Sequence, residues 1–273
     1  MSLVRRCTRW IPLVSRELTG AMRSRLLVST IVLFVLFGVV VGFLYSQAAG
    51  SDSTGTAGPG LAGAMMFLLS FVLPTVAVLV SSDAIARKRS RGTLRVILGL
   101  PFSRSNVVVA TFLGRLLVVT TGLIACFGLA TLVVQTQGVA VDIDRVVGFL
   151  GIVILFAAGF VSVGIALSAQ TGSIIRVVAA GIGIAAVFSL RIDNQLIEPN
   201  ELVPGLAALV LPRTPVNAFE LAAAFYDPSL GELAIGPLTP ADVGSPTEPL
   251  LVLLGWIIIP LILGYARFSR QDL

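Results

Sequence analysis

The chain has 273 residues, of which 56% are hydrophobic and only 12% charged, and its mean hydropathy is +0.99. Soluble domains carry about 25% charged residues, so this composition excludes a soluble globular enzyme and predicts a polytopic membrane protein. The net charge of +5 and the pI near 10.0 do not imply nucleic acid, because the basic residues gather at the ends of apolar runs, where they orient membrane spans.

Residues 1–25 mix Trp10, Ile11, Leu13, Val14 and Leu18 with Arg5, Arg6, Arg9, Arg16, Arg23 and Arg25. That is the composition of an amphipathic elbow helix lying in the membrane interface, kinked at Pro12. The apolar run that follows, 26–46, is longer than the roughly 7 to 15 residues of a secretory signal core, and predicts an uncleaved first span. Further runs at 61–82, 107–135, 146–168, 172–190 and 250–266 approach the roughly 20 residues that a crossing requires. The expected fold is therefore all-α and integral to the membrane, with six transmembrane helices forming one domain over 1–273. In the first span Gly38 and Gly42 form a G-x-x-x-G pair, a pattern that lets helix backbones approach closely. The stretch 179–186 in the fifth is made almost entirely of small residues. Pro74 and Pro260 free the carbonyls of Ser70 and Trp256 and predict kinks.

Between the second and third spans, Arg87, Lys88, Arg89, Arg91, Arg95 and Arg104 crowd one segment, 83–106. Each charge would cost roughly 2.5 to 3.5 kcal/mol at the centre of a bilayer, so both flanking spans must end there. The third run is long; with its span starting nearer Thr111, Arg115 lies within two turns of the interface and is expected to snorkel. Fifteen of the nineteen basic residues fall on the side of this loop and of both termini, and three (Arg145, Arg191 and Arg213) on the other. The positive-inside rule then puts both termini and the loop in the cytoplasm, and the segment 191–249, with eight acids, outside. Within that segment, apolar runs at 202–211 and 216–225 are set off by Pro204, Pro212, Pro215 and Pro228. Being too short to span, they predict re-entrant or interfacial helices before the last span, or a small outer cap.

Several chemistries are ruled out by composition. With no histidine, imidazole metal sites and Ser-His-Asp or Cys-His catalysis are excluded. No G-x-x-x-x-G-K-[ST] loop is present, so ATP-driven work must be done by another polypeptide. Four scattered methionines and Cys7 with Cys126 supply no convergent copper ligands, and the two thiols do not pair within one chain. No metal and no cofactor are expected on this chain.

Four segments carry a resemblance: RELTGAMRSRLL (16–27), AIARKRSRGTLRVILGLPFSR (84–104), TPVNAF (214–219) and RFSRQDL (267–273). Together they resemble the membrane subunits of ABC-2 type transporters, in particular the branch containing the permease of nitrous-oxide-reductase maturation systems. The most specific of them is RGTLRVILGLPFSR; Lys88 and Ala110-Thr111 stand where family members usually have an acidic residue and a Gly-Lys pair. The resemblance implies a plasma-membrane exporter permease that forms a homodimer or a heterodimer with a similar permease. It also implies a cytoplasmic ATP-binding cassette subunit, which would hold ATP and Mg, docked on the inner loop. The residues that would carry docking are Arg91, Gly92, Thr93, Leu94, Ile97, Leu98, Pro101 and Arg104: an apolar ridge with a basic rim, opened by a glycine and ended by a proline. Two alternatives stay open, a self-contained secondary transporter or channel and a permease-like subunit serving maturation of another protein. Against the secondary transporter stands the lack of any carboxylate in the six predicted spans.

Overall fold

The computed structural model describes residues 25–49, 58–82, 104–170, 173–190, 213–231, 240 and 245–270. Among the described residues the chain is all-helical: α1 (Arg25–Ala49), α2 (Gly58–Ser82), α3 (Arg104–Thr136), α4 (Ile143–Gln170), α5 (Ile174–Ser189), α6 (Pro215–Tyr226), α7 (Pro228–Gly231) and α8 (Thr247–Ser269). Five of these, α1, α2, α3, α4 and α8, are long and apolar enough to cross a membrane. The chain is thus an all-α, multi-pass membrane protein. The elbow expected over 1–25, except its last residue, and the run at 202–211 lie outside the described residues.

The fifth expected span differs. Its helix, α5, has 16 residues and so rises about 24 Å, short of the ~30 Å hydrocarbon core. Ser173 is its N-cap position, so the first residues of the apolar run 172–190 are spent before the helix begins. At its other end the Ser189 hydroxyl donates to the Phe71 carbonyl at 3.2 Å, halfway along α2. The helix therefore stops near mid-depth.

Helix directions follow from close contacts at glycine. A Cβ on Gly38 would strike the backbone of Cys126, one on Gly42 the backbone of Ala130, and one on Gly122 the Phe34 ring. These pairs advance together, so α1 and α3 run parallel and in constant register, which puts Arg115 level with the first turns of α1. In the same way Gly164 abuts Ser81, Gly159 abuts Trp256 and Gly264 abuts Ala166, so α2, α4 and α8 run parallel to one another. A tight hairpin links the two sets. Gly138, at φ 80°, closes α3: its N–H donates to the Gln135 carbonyl and that of Val139 to Val134, the Schellman pattern that only glycine adopts without strain. Asp142 then caps α4, its carboxylate accepting the Arg145 N–H at 3.2 Å.

One end of the bundle thus collects the starts of α1, α3 and α5 and the ends of α2, α4 and α8. Arg25, Arg104, Arg176, Arg267 and Arg270 lie there, and no acid among the described residues does. We call it the basic end. The opposite end holds Asp142, Asp144, Asp227 and Glu248 with Arg145.

Helix α4 is the central element, buried along most of its second half and packed against α2, α3, α5, α6 and α8. Its Ser162, fully buried, answers the kink at Pro260: the hydroxyl lies 2.8 Å from the Trp256 carbonyl that the proline leaves without an N–H, and 2.8 Å from the Gly159 carbonyl of its own helix. Ser162→Ala should lower stability in detergent unfolding by about 1 kcal/mol, the scale of interhelical hydrogen bonds in membranes. In a Pro260→Ala background the restored N–H serves that carbonyl, so the same substitution should cost clearly less. An equal cost in both backgrounds would mean the hydroxyl does not serve the kink.

A mid-depth helix junction and a basic end

The sequence motif TPVNAF opens α6, with Pro215 at the first helical position, where its missing N–H is harmless. Helix α6 is buried from Pro215 to Ala224, and it lies alongside α4 and α8. Its depth is set by its two ends. At the start, the Arg213 carbonyl accepts the Trp256 indole N–H at 2.9 Å, and Trp256 is near the middle of α8. At the finish, the Tyr226 hydroxyl donates to the Asp144 carbonyl at 3.2 Å, in the first turn of α4, and its ring lies over Gly148, where a Cβ would collide with it. The helix therefore climbs from mid-depth to the acidic end.

An aromatic chain holds this junction. Phe219 of α6 stacks on Phe156 of α4 with centroids 4.4 Å apart and planes 14° from parallel, and Phe149 flanks it at 6.0 Å. Phe156 meets Phe160 edge to face at 5.3 Å; Phe160 meets Phe188 of α5, and Phe188 meets Trp256 of α8 at 5.3 Å. Such contacts contribute beyond area burial, about 0.5–1.5 kcal/mol each. The last turn of α5 and the first of α6 consequently converge on Trp256. Helix ends at membrane depth are tolerated only where protein covers them, and here Phe160, Phe188 and Trp256 do so.

At the acidic end, Arg145 bridges Asp142 at 3.2 Å and Asp227 at 3.3 Å. Asp227 also accepts from the Ser229 N–H and hydroxyl, at 3.1 and 2.6 Å, which turns the chain from α6 into the single turn of α7. These bonds fasten the top of α6 to the first turn of α4.

Gly38 and Gly42 lie in the α1–α3 contact within this one chain. Arg104 is the first residue of α3, at the basic end; Arg91, Gly92, Thr93, Leu94, Ile97, Leu98 and Pro101 lie outside the described residues. Ser82 and Arg104, which bracket that segment, both sit at the basic end. The small-residue stretch of α5 divides between two faces: Gly181 packs on Val78 and Ala185 is buried, while Ala179, Ala180 and Gly183 are exposed.

Sequence reasoning missed Glu220, which is 4% exposed, and Asn217, at 3%, both on α6. The argument that no carboxylate sits at membrane depth holds for the six predicted spans but not for this shorter helix. Its pattern offered a signal, since Asn217 and Glu220 are one turn apart and so share a face of the run 216–225.

The profile of the family described as "ABC-2 family transporter protein" matches residues 11–273. The chain is 26% identical over 270 residues to a "Probable ABC transporter permease protein NosY" of Stutzerimonas stutzeri, covering 94% of this chain and 96% of that one. It is 25% identical over 267 residues to a protein so named from Pseudomonas aeruginosa, covering 94% and 97%.

Proposed function

The chain belongs to the ABC-2 family of transporter proteins, and from that premise we propose that it is the permease half of an ATP-driven exporter of the plasma membrane. Membership makes it a membrane-embedded ABC transporter permease subunit, whose counterpart is an ATP-binding cassette protein. ATP and Mg belong to that counterpart, since this chain has no glycine-rich loop followed by lysine to cradle phosphates.

The observation that carries the reading is the charge asymmetry of the bundle. Five arginines mark one end, and the two helices bracketing 83–103 both open onto it. By the positive-inside rule that end is cytoplasmic, together with both termini, and the loop between α2 and α3 then faces a soluble ATPase. On this reading the polypeptide makes six crossings, with α5 entering from the cytoplasmic side and α6 leaving on the other. The exposed face of α5 at Ala179, Ala180 and Gly183 suits close approach of a second permease, of this or a similar sequence.

One observation favours a different class: a buried carboxylate, Glu220, at membrane depth is a feature of ion-coupled carriers. Reconstitution distinguishes the two. The purified chain alone should hydrolyse no ATP above an empty-vesicle control, and co-reconstitution with its cassette subunit should produce turnover that vanadate stops. Hydrolysis by this chain alone, or ion-driven flux without a cassette, would overturn the proposal.

A further inference from the structure

A groove of about 460 Å³ lies between α4 and α8. Val163, Leu167 and Gln170 line it from α4, and Val252, Trp256 and Leu263 from α8. It therefore extends from one turn on the acidic side of Trp256 to the basic end, where Gln170 closes α4. Ile259 and Leu263 at its mouth are 60% and 61% exposed, so in a membrane the mouth meets hydrocarbon. Gly255 and Pro260 explain the hollow: the proline interrupts the hydrogen-bond ladder of α8, and the glycine presents no side chain, with only the Ile259 Cδ1 near a Cβ built there, at 3.9 Å.

Arg213 also borders the groove but is already engaged, by Glu248 among other partners, so it offers no anchor. The available cations are at the opposite extremity. Arg267 and Arg270, both from the terminal RFSRQDL motif, follow Leu263 at i+4 and i+7, so they continue the face of α8 that walls the groove. Both are exposed, and neither guanidinium has an ion pair among the described residues. Along the axis Arg267 stands about 6 Å beyond Leu263 and about 16 Å beyond Trp256, and the second distance is close to half of the ~30 Å hydrocarbon core. An acyl chain hung from a headgroup at Arg267 thus runs past Leu263 and Ile259 to Trp256 within one leaflet.

We propose that this groove binds an anionic phospholipid of the leaflet at the basic end: the phosphate accepts from Arg267 and Arg270, and one acyl chain lies between α4 and α8 against Trp256. Guanidinium groups pair strongly with phosphate, and no acid among the described residues at this end competes for them. A zwitterionic headgroup would bring its own cation up to the arginines. A second copy of this chain would do the same, because a two-fold contact here sets one basic end beside another. The site requires only that the arginine-rich helix ends meet one membrane surface, so it is independent of the exporter reading.

Trp256 reports on it directly, because the chain has two tryptophans and Trp10→Phe leaves Trp256 as the sole indole. The full-length variant is placed in nanodiscs of unbrominated phosphatidylcholine that contain either phosphatidylglycerol or phosphatidylcholine brominated towards the chain end, at equal mole fraction, and Trp256 quenching is measured. Brominated phosphatidylglycerol should associate about fivefold more strongly than brominated phosphatidylcholine, the upper range of exposed ion pairs. Arg267→Gln combined with Arg270→Gln should abolish that preference and leave quenching by phosphatidylcholine unchanged, whereas Arg176→Gln, at the same end but on α5, should keep it. Gly255→Leu, which fills the hollow, should reduce quenching by both lipids. Equal quenching by the two lipids before any arginine is changed would overturn the proposal, as would an equal loss of preference from Arg176→Gln, which would reduce the effect to a general attraction of the basic end. Quenching by neither lipid would show that protein, a second copy included, covers the groove, and unchanged quenching in Gly255→Leu would place the chain elsewhere; either result defeats it. The glutamine variants alter exposed side chains, so that arm stands even if Gly255→Leu fails to fold.

Discussion

Leu94→Asp and Leu98→Asp should each cost the chain its cassette partner, while leaving it in the membrane at wild-type level. On the proposed reading, Leu94, Ile97 and Leu98 form one apolar ridge between Gly92 and Pro101, presented to a cleft of the ATPase. Truncation of one anchor to alanine removes contact area only and should weaken the complex by about 1 kcal/mol or more. An aspartate does worse, because its charge must be stripped of water without a counter-ion; a penalty of ~3 kcal/mol corresponds to an affinity loss of over a hundredfold. Co-purification of a tagged cassette subunit with matched amounts of each chain reads the difference. Undiminished recovery with both aspartate variants would remove docking from this segment. Equal membrane insertion separates loss of docking from loss of folding.

The second large effect is expected inside the bilayer. A side chain at Gly38 would collide with the backbone of Cys126, and one at Gly42 with the carbonyl and Cα of Ala130, at 2.8 and 3.0 Å. Main-chain atoms of a long helix cannot rotate aside as a side-chain terminus does. Gly38→Leu must therefore push α1 from α3 along the seam, and should destabilise by about 3 kcal/mol, the upper part of the usual overpacking range. Gly42→Leu should follow. Gly128 and Gly151 provide internal controls: nothing lies within 4 Å of a Cβ at either, so alanine there should be neutral or raise stability slightly through helix propensity. Thermal unfolding of the four variants in one detergent checks the order. If Gly38→Leu melted with Gly151→Ala, the close contact would not hold the bundle.

The seam also shows why a motif is not an address. A G-x-x-x-G pair states that a backbone approaches; it does not say whose. Only the register of Phe34, Gly38 and Gly42 along Gly122, Cys126 and Ala130 assigns the contact to α3 of the same chain. Ser162 is a parallel case. Proline chemistry forecasts an unserved carbonyl at Trp256, but the donor comes from a residue 94 positions away.

What could be read from residues alone was everything governed by transfer between water and hydrocarbon. Length and apolarity determine that α1, α2, α3, α4 and α8 belong in a bilayer, and the clustering of arginine determines which helix ends share a side, because each helix meets the solvent independently of its neighbours. Composition likewise determined that this chain carries no histidine chemistry and no phosphate-binding loop. Depth was different. The run 172–190 looks like a span, and 216–225 looks equally suited to an interfacial helix, since hydropathy measures how apolar a segment is and not how far it penetrates. The tertiary structure decided both: the Ser189 bond to Phe71 stops α5 halfway, and the stack of Phe219 on Phe156 draws α6 down beside α4, with Glu220 buried along it. These are contacts between residues tens of positions apart, and their energy depends on side-chain shape against a particular neighbour, which no local pattern encodes.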